Sequence, residues 1–288
     1  MPKPKTPPTL TAQGLGTHWI FELLGDESGF PRELAVLIRD SIELFDDTYS
    51  RFKPDSLVGQ LNRNGFLVKP PKELVDMFAF AHKMHSVTGG VFDISVGGSL
   101  QKLGYGTDSE TKGVYPGFWE TTEYDTNEIR IARGAAIDLG GFGKGWLLDK
   151  LAVLLEQHNH PYYLINGGGD IVLSAQKPIE LGLEHPYDTS KIIGTTQILK
   201  GALAVSSTVK RRWVKNGKTY HHIIDPKTTM PADTMVVSTY VKGATGLIAD
   251  TIATVLLINP ALETKLRDTF DVHTIVLHTN QIDSEPGF

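Results

Sequence analysis

Two glycine-rich segments lie on either side of one helical pattern in the middle of this chain. The first, residues 140–145, follows an apolar run that ends at Asp138, and the second, residues 167–169, directly precedes Asp170. Between them, leucines recur at three- and four-residue spacing, which predicts a helix. The pattern therefore predicts a strand, a glycine loop, a helix, a second strand and a second glycine loop, in that order.

This arrangement favours a phosphorylated ligand. Glycines allow a ligand to approach the backbone closely, and the first turn of a helix offers N–H groups and a positive dipole end to an anion. The first loop is not a P-loop, because Gly145 follows Lys144 where that motif requires Ser or Thr. It is not the G-x-G-x-x-G fingerprint either, because its third glycine comes one position early. The alternative is that both glycine segments only connect strands and helices.

The composition excludes several classes of protein. None of the 288 residues is Cys, which excludes disulfides, zinc–thiolate sites, cysteine nucleophiles and lipid attachment through Cys. The net charge of −5 argues against nucleic acid as the main partner. No signal peptide or membrane span is visible, so we expect a cytoplasmic protein without a membrane partner. We expect residues 1–10 to be a disordered lead and residues 11–288 to form a single domain.

The remaining pattern predicts many strands and a few long helices. Helices are predicted to begin near Pro31 and Pro71, and a third spans residues 246–258. A hairpin is predicted at 213–224, with its turn at Asn216-Gly217. Further strands are predicted at 17–24, 128–137, 171–173, 179–183, 192–198, 202–206, 236–241 and 272–278. This mixture, with several hairpin connections, predicts an α+β fold in one domain.

Three groups of polar residues are candidates for chemistry. Asp250 and Thr254 lie one helical turn apart, and an oxygen-only pair suits Mg²⁺ better than zinc. Alternatively, Asp250 faces solvent and Thr254 packs. His222, at the end of a strand, either serves as a general base near neutral pH or lies in a turn without a chemical role. The basic residues 210–212 either meet a phosphate or form a solvated strand edge.

Eight short stretches of this chain occur in the same order in one known family. They are LGT at 15–17, SRFKPDSLVGQLN at 50–62, TGGVFD at 88–93, IDLGGFGKGWLLD at 137–149, INGGGD at 165–170, ALAVSS at 202–207, HHIIDPKT at 221–228 and ADTIATVLL at 249–257. Each stretch alone is a weak signal, but eight in order are a strong one. The chain resembles the FAD:protein FMN transferases, the ApbE family.

The resemblance implies a T-fold-like architecture with antiparallel sheets flanked by helices. It also implies a Mg²⁺-dependent cleavage of the FAD pyrophosphate. FMN passes to a Thr or Ser hydroxyl of an acceptor flavoprotein, and AMP leaves. Two other outcomes stay open: hydrolysis of FAD to FMN and AMP, and binding of FAD without catalysis. The family includes periplasmic lipoproteins and cytoplasmic enzymes, and a chain without Cys is similar to the second kind.

The resemblance also implies site residues. Asp250 and Thr254 would hold Mg²⁺, with a backbone oxygen of Gly141. His222 would lie near the transferred phosphate and act as the base, with Asp225 as the alternative base. The pyrophosphate is expected near the loop between Asp138 and Lys144. The FAD site would consist of Leu15, Gly16, Phe52, Val91, Phe92, Asp93, Asp138, Lys144 and Ile224.

Three positions depart from the family pattern. Leu15 stands where Met is usual, and Gly143 stands where Ala is usual. The turn after Asp225-Pro226 reads KTTMP, without the Gly that the family normally has there. This last departure puts the shape of the loop near His222 in question.

Overall fold

The computed structural model describes residues 6–26, 28–106 and 114–279. Its helices are α1 (Arg32–Tyr49), α2 (Leu57–Asn64), α3 (Lys72–Thr88), α4 (Gly97–Lys102), α5 (Phe118–Thr121), α6 (Gly143–Gln157), α7 (Gly246–Ile258) and α8 (Glu263–Phe270), with a 3-10 turn at Pro260–Leu262. Its strands are β1 (Thr9–Gly14), β2 (Thr17–Leu23), β3 (Phe66–Val68), β4 (Glu123–Tyr124), β5 (Glu128–Arg130), β6 (Tyr163–Gly167), β7 (Asp170–His185), β8 (Asp188–Ser207), β9 (Arg212–Lys215), β10 (Lys218–His221), β11 (Ile224–Asp225), β12 (Met230–Pro231), β13 (Val236–Gly243) and β14 (His273–His278).

A seven-stranded antiparallel sheet with the order β1-β2-β6-β7-β8-β13-β14 organises the molecule. Successive side chains of a strand point to opposite faces, and the main core, which includes helices α1, α6 and α7, takes Val172 from β7 and Val241 from β13. Their neighbours Leu173 and Tyr240 belong to a smaller core on the other face. The predicted α+β fold, with antiparallel sheets flanked by helices, is therefore confirmed. No helix in the described ranges is both long and apolar enough to cross a lipid bilayer.

Several predicted boundaries differ from those observed. Strand β1 includes Thr9 and Leu10, which were predicted to belong to the disordered lead. It was missed because Leu10 is its only large apolar residue. The strand predicted at 128–137 ends at Arg130, and Ala136 makes only an isolated bridge with Val96.

The four short strands predicted between residues 171 and 206 form two long ones. Strand β7 takes in the predicted strands at 171–173 and 179–183, and β8 takes in those at 192–198 and 202–206. The pairing of β7 with β8 shifts register between Ser174 and Ile179. Such irregularities bend a strand without ending it, and the polar residues there resemble a loop in the sequence.

Two hairpins of the sheet turn through only two residues. Leu15 and Gly16 connect β1 to β2 with φ of 52° and 68°, and Gly168 and Gly169 connect β6 to β7 with φ of 70° and 104°. Tight two-residue hairpins require such positive φ values, which glycine adopts without strain. The second glycine segment is therefore a hairpin turn that leads directly into Asp170.

The approach of helix α7 to helix α6 depends on Gly145. A Cβ atom there would lie 2.7 Å from the carbonyl carbon of Gly246 and 2.9 Å from the Cβ of Asp250. One turn further along α6, Asp149 accepts hydrogen bonds from the backbone N–H groups of Gly246 and Leu247, at 2.7 and 2.9 Å. The carboxylate thus caps the first turn of α7. These contacts place Asp250 beside the first turn of α6.

We expect Gly145→Ala to destabilise the protein by about 1–3 kcal/mol, because the added methyl group overpacks a contact between two backbones. Gly143→Ala is the matched control in the same helical turn. Its Cβ would meet its nearest neighbour, the Cβ of Leu139, at 3.9 Å, and alanine favours a helix by about 0.5–1 kcal/mol over glycine. Urea unfolding followed by circular dichroism measures both variants. Equal free energies of unfolding would contradict this account of the α6–α7 contact.

Candidate active site

Two adjoining cavities lie beside the first turn of α6. The inner cavity has a volume of about 180 Å³, and the outer cavity has a volume of about 550 Å³. Together they fall within the range of small-molecule sites. Both cavities share six of the described residues, which makes them parts of one site: Phe52, Tyr105, Asp138, Gly140, Lys144 and Arg211.

Most residues predicted for the site lie around these cavities. The outer cavity is lined by Leu15 and Gly16 of the β1–β2 turn. Asp225 lines neither cavity; its carboxylate accepts a hydrogen bond from the backbone N–H of Lys227 at 2.9 Å. The predicted residues that line the inner cavity are Phe52, Val91, Phe92, Asp93, Asp138, Gly141, Lys144, His222, Ile224, Asp250 and Thr254.

Lys144 is held between two buried carboxylates. Its ammonium group pairs with Asp170 and lies 3.3 Å from Oδ1 of Asp250. Asp170 also accepts a hydrogen bond from the N–H of Val205, and Asp250 accepts one from the N–H of Gly145, both at 2.9 Å. Burial opposes the charged form of Lys144, but the two carboxylates outweigh burial and raise the pKa of Lys144. One lysine between two carboxylates leaves an excess of negative charge beside the inner cavity.

Asp250 does not face solvent, so that alternative is wrong. Asp250 is only 3% exposed. Burial raises the pKa of Asp250, against the attraction of Lys144 and the hydrogen bond from Gly145. A carboxylate that is buried on the wall of a cavity, and whose charge is only partly compensated there, suits a cation.

The oxygen donors near Asp250 fit Mg²⁺. Thr254 follows one helical turn later, and its hydroxyl lies 3.4 Å from the hydroxyl of Ser206. A Cβ at Gly141 would lie 3.7 Å from the methyl carbon of Thr254, so the loop backbone is close to this side chain. Within the three described ranges, no group of three or more His, Asp or Glu side chains is suited to a metal. A metal here would therefore depend on hydroxyl and carbonyl donors, which Mg²⁺ accepts.

His222 is a partly buried, neutral histidine on the wall of the inner cavity. Its Nδ1 atom is buried and has no hydrogen-bond partner among the described residues. Burial, followed by the charges of Arg211 and His221, lowers the pKa of His222 to about 3. A neutral imidazole with an unpaired ring nitrogen can accept a proton from a ligand that reaches it.

The other two carboxylates of the inner cavity are also paired. Asp138 forms a salt bridge with Arg51, whose guanidinium lies 4.2 Å from the ring centroid of Phe52 and donates to the carbonyl oxygen of Tyr105 at 2.8 Å. Asp93 lies 3.1 Å from Nδ1 of His85 on α3, and this carboxylate raises the pKa of His85 despite its partial burial. These pairs hold the cavity wall and leave little free charge on it.

Several site residues were not predicted from the sequence. Asp170 and Arg51 lie within the stretches INGGGD and SRFKPDSLVGQLN, so the resemblance contained a signal for them. Tyr105 lies outside every matching stretch, and its edge-to-face contact with Phe52 at 5.6 Å depends on the fold alone. Arg211 was considered only as one of three basic residues.

The turn near His222 keeps a left-handed residue although it lacks glycine. Thr229 has φ of 60°, and its N–H donates to the carbonyl oxygen of Asp225 at 2.8 Å. Strands β11 and β12 then pair in register, with Ile224 opposite Pro231. The hairpin therefore forms, but a β-branched residue occupies a conformation that is unfavourable for it.

We expect Thr229→Gly to stabilise the protein by about 0.5–1 kcal/mol. Glycine relieves a left-handed strain of about 1–2 kcal/mol, and its greater freedom in the unfolded chain offsets about half of that gain. Thr228→Gly is the control, because Thr228 does not have a positive φ and should only lose stability. Chemical denaturation gives both values. A loss of stability in both variants would show that the turn gains nothing from glycine at position 229.

Sequence comparison shows the family of this chain. The ApbE family model matches residues 15–267. The FAD:protein FMN transferase of Salmonella typhimurium is 25% identical over 263 residues, which cover 84% of this chain and 75% of the relative. The enzyme of the same name from Haemophilus influenzae is 25% identical, over 94% of this chain and 87% of the relative. The chain belongs to the ApbE family, and the prediction that it is a transferase is confirmed.

Solved structures show the same fold. The ApbE protein of Thermotoga maritima superposes with a TM-score of 0.80 at 23% identity, and 94% of each chain is covered. The flavin transferase ApbE from Vibrio cholerae superposes with a TM-score of 0.78 at 21% identity, covering 96% of this chain and 94% of that one. These similarities support the fold class that the antiparallel sheet and its helices define.

Proposed function

We propose that this protein is a Mg²⁺-dependent FAD:protein FMN transferase. It cleaves FAD, attaches FMN covalently to a Thr or Ser of an acceptor flavoprotein and releases AMP. The proposal rests on one observation, which is that three candidate side chains lie together with Lys144 around one cavity. Stretches far apart in the sequence bring a flavin-site candidate (Phe52), a neutral histidine (His222) and a buried carboxylate (Asp250) to one inner cavity.

FAD would occupy both cavities, because the inner cavity alone is smaller than most small-molecule sites. Phe52 is half exposed, and it contacts Tyr105 edge to face at the boundary between the cavities. These rings offer apolar surface to a planar ring system of the substrate. The salt bridge from Arg51 to Asp138 holds the wall beside Phe52, so little ordering is needed when FAD binds.

The chain's own groups would carry the proton transfer. The acceptor hydroxyl oxygen forms a bond to the phosphorus of the FMN half, the bond from that phosphorus to the AMP oxygen breaks, and the hydroxyl proton passes to His222. Negative phosphates beside His222 would offset the positive charges that lower its pKa, and would bring it closer to the range of an effective base. The hydrogen bond that the carboxylate of Asp225 accepts from the N–H of Lys227 favours a role for Asp225 in holding the turn.

Asp250, Thr254 and the carbonyl of Gly141 would hold Mg²⁺. When bound, the ion supplies positive charge that offsets the negative charge on the pyrophosphate oxygens. The protein's contribution is to keep the carboxylate of Asp250 in place through the N–H of Gly145 and the ammonium group of Lys144.

The test is incubation of the protein with FAD, Mg²⁺ and candidate acceptor flavoproteins that carry an accessible Thr or Ser. We expect flavin fluorescence that stays on the acceptor after denaturing electrophoresis, with one AMP released for each label. AMP and free FMN in equal amounts without a labelled acceptor would identify an FAD hydrolase instead. FAD that stays bound and intact would identify a carrier, and either result would overturn the proposal.

A further inference from the structure

Among the described residues, six cationic side chains line the two cavities, and five of them already have partners. Lys144 pairs with Asp170 and Asp250, and Arg51 pairs with Asp138. The other three paired cations are Lys53 with Asp46 and Asp47, Lys210 with Glu184, and Arg212 with the carbonyl oxygen of Thr208. The sixth cation, Arg211, forms no hydrogen bond or ion pair with any residue that the structure describes. Of the cationic side chains described at this site, its guanidinium is therefore the one that is free.

The three consecutive basic residues at 210–212 are divided between two roles. Lys210 reaches back to Glu184 on β7, and Arg212 begins β9 and bonds to its own loop. Neither side chain is free for a ligand, although Lys210 lines the inner cavity and Arg212 the outer one. Arg211 lines both cavities and so lies where they join. The sequence offered a phosphate contact or a strand edge for all three residues alike. Of the three, only Arg211 has a side chain that is free to contact a phosphate.

The backbone at Arg211 is strained. Its φ is 52°, in the left-handed region, which is unfavourable for a residue with a side chain. Strained residues of this kind persist where the surrounding structure holds them, and they are frequent at ligand sites. Here the strained residue falls between β8 and β9, at the one point of this connection that reaches both cavities.

Arg211 also lies within electrostatic reach of the groups around the inner cavity. Its charge opposes the protonated forms of both His222 and Lys144. A pyrophosphate carries two negative charges, and Lys144 is already committed to two carboxylates. Arg211 offers positive charge at the junction besides that of the proposed Mg²⁺, and its planar guanidinium can bind phosphate oxygens with two parallel hydrogen bonds.

We propose that Arg211 binds the pyrophosphate of FAD at the junction of the inner and outer cavities. This inference rests on the proposed function, since it takes FAD as the ligand. It moves the main phosphate contact away from Lys144, where the family resemblance led us to expect it, and assigns Lys144 to holding Asp170 and Asp250.

The test compares binding of FAD with binding of riboflavin, which has the same ring system but no phosphate. Flavin fluorescence is titrated without Mg²⁺, so that no turnover occurs, in the wild type, Arg211→Gln and Arg211→Lys. We expect Arg211→Gln to bind FAD about tenfold more weakly, the low end for a charge-assisted contact because Arg211 is exposed. Its riboflavin affinity should not change. Arg211→Lys should recover part of the FAD affinity, because it keeps the charge and loses the two-pronged geometry.

Lys218→Gln is the matched control, because it removes one positive charge from an exposed position on the hairpin that directly follows Arg211. It should bind FAD like the wild type. Unchanged FAD affinity in Arg211→Gln would overturn this inference and leave the proposed function intact. Equal losses of FAD and riboflavin affinity would also overturn it, because they would indicate a distorted cavity. A wild type that binds no FAD would overturn the proposed function together with this inference.

Discussion

Asp250→Asn is expected to slow FMN transfer by roughly 10³-fold, the equivalent of about 4 kcal/mol of lost stabilisation of charge on the phosphates. The substitution keeps the shape of the side chain and leaves an oxygen to accept from the N–H of Gly145. It removes the only charge among the proposed Mg²⁺ donors. Lys144 keeps its partner Asp170, so we expect the variant to fold. Thr254→Ala should retain part of the activity, and extra Mg²⁺ should restore more of it.

Two measurements separate loss of the metal from a general defect. Transfer is followed as a function of Mg²⁺ concentration, and Mg²⁺ binding is measured directly by calorimetry in the presence of AMP. Asp268→Asn is the control, because it removes an exposed carboxylate from α8. Full transfer by Asp250→Asn at ordinary Mg²⁺, or full activity of the wild type in excess EDTA, would remove the metal from the proposed mechanism.

His222→Ala is expected to transfer FMN about 10²–10⁴ times more slowly, because a hydroxyl is a poor nucleophile at neutral pH without a nearby base. The variant should still bind FAD, since the expected change affects the proton transfer. In the wild type the rate should also fall at low pH, where His222 becomes protonated and cannot accept a proton. The residual rate of the variant should lose this part of the pH dependence.

His221→Ala is a matched control for the His222 variant. His221 is the preceding residue, it is also a partly buried imidazole, and its Nε2 lies 3.2 Å from the carbonyl oxygen of Ala232. It lines neither cavity, so its loss should leave the rate of transfer close to that of the wild type. A folded His222→Ala enzyme with near-normal transfer would assign the histidine to a structural role.

The sequence was most informative where the apolar pattern of an element matches its burial in the core. The helix at residues 246–258 was predicted with its observed bounds, because its apolar positions fill the core from several sides. The pairing of Asp250 with Thr254 followed from helical spacing alone. Helical spacing did not show whether this face of the helix is buried or exposed. The burial of Asp250 depends on Gly145 and Lys144, which lie about a hundred residues earlier in the chain.

Long-range electrostatic pairs were the part that could not be predicted. The family resemblance placed Lys144 in the FAD site, beside the loop where the pyrophosphate was expected, and only the fold shows that two carboxylates already hold this lysine. Arg211 looked like one of three equivalent basic residues until the partners of Lys210 and Arg212 were known. A sequence records the charges in order, whereas their compensation depends on contacts between strands and helices that are remote in the chain.

The two-residue turn at Gly168 and Gly169 sets a limit on the lengths that this chain can tolerate. Most surface loops accept an inserted residue at little cost. Here the length of the turn fixes Asp170 as the first residue of β7. A shift of one residue would move every side chain of that strand to the opposite face of the sheet. Asp170 would then turn away from Lys144, and Lys144 would keep only Asp250. The length of this hairpin turn, whose Gly168 lines the inner cavity, thus sets the charge balance of that cavity.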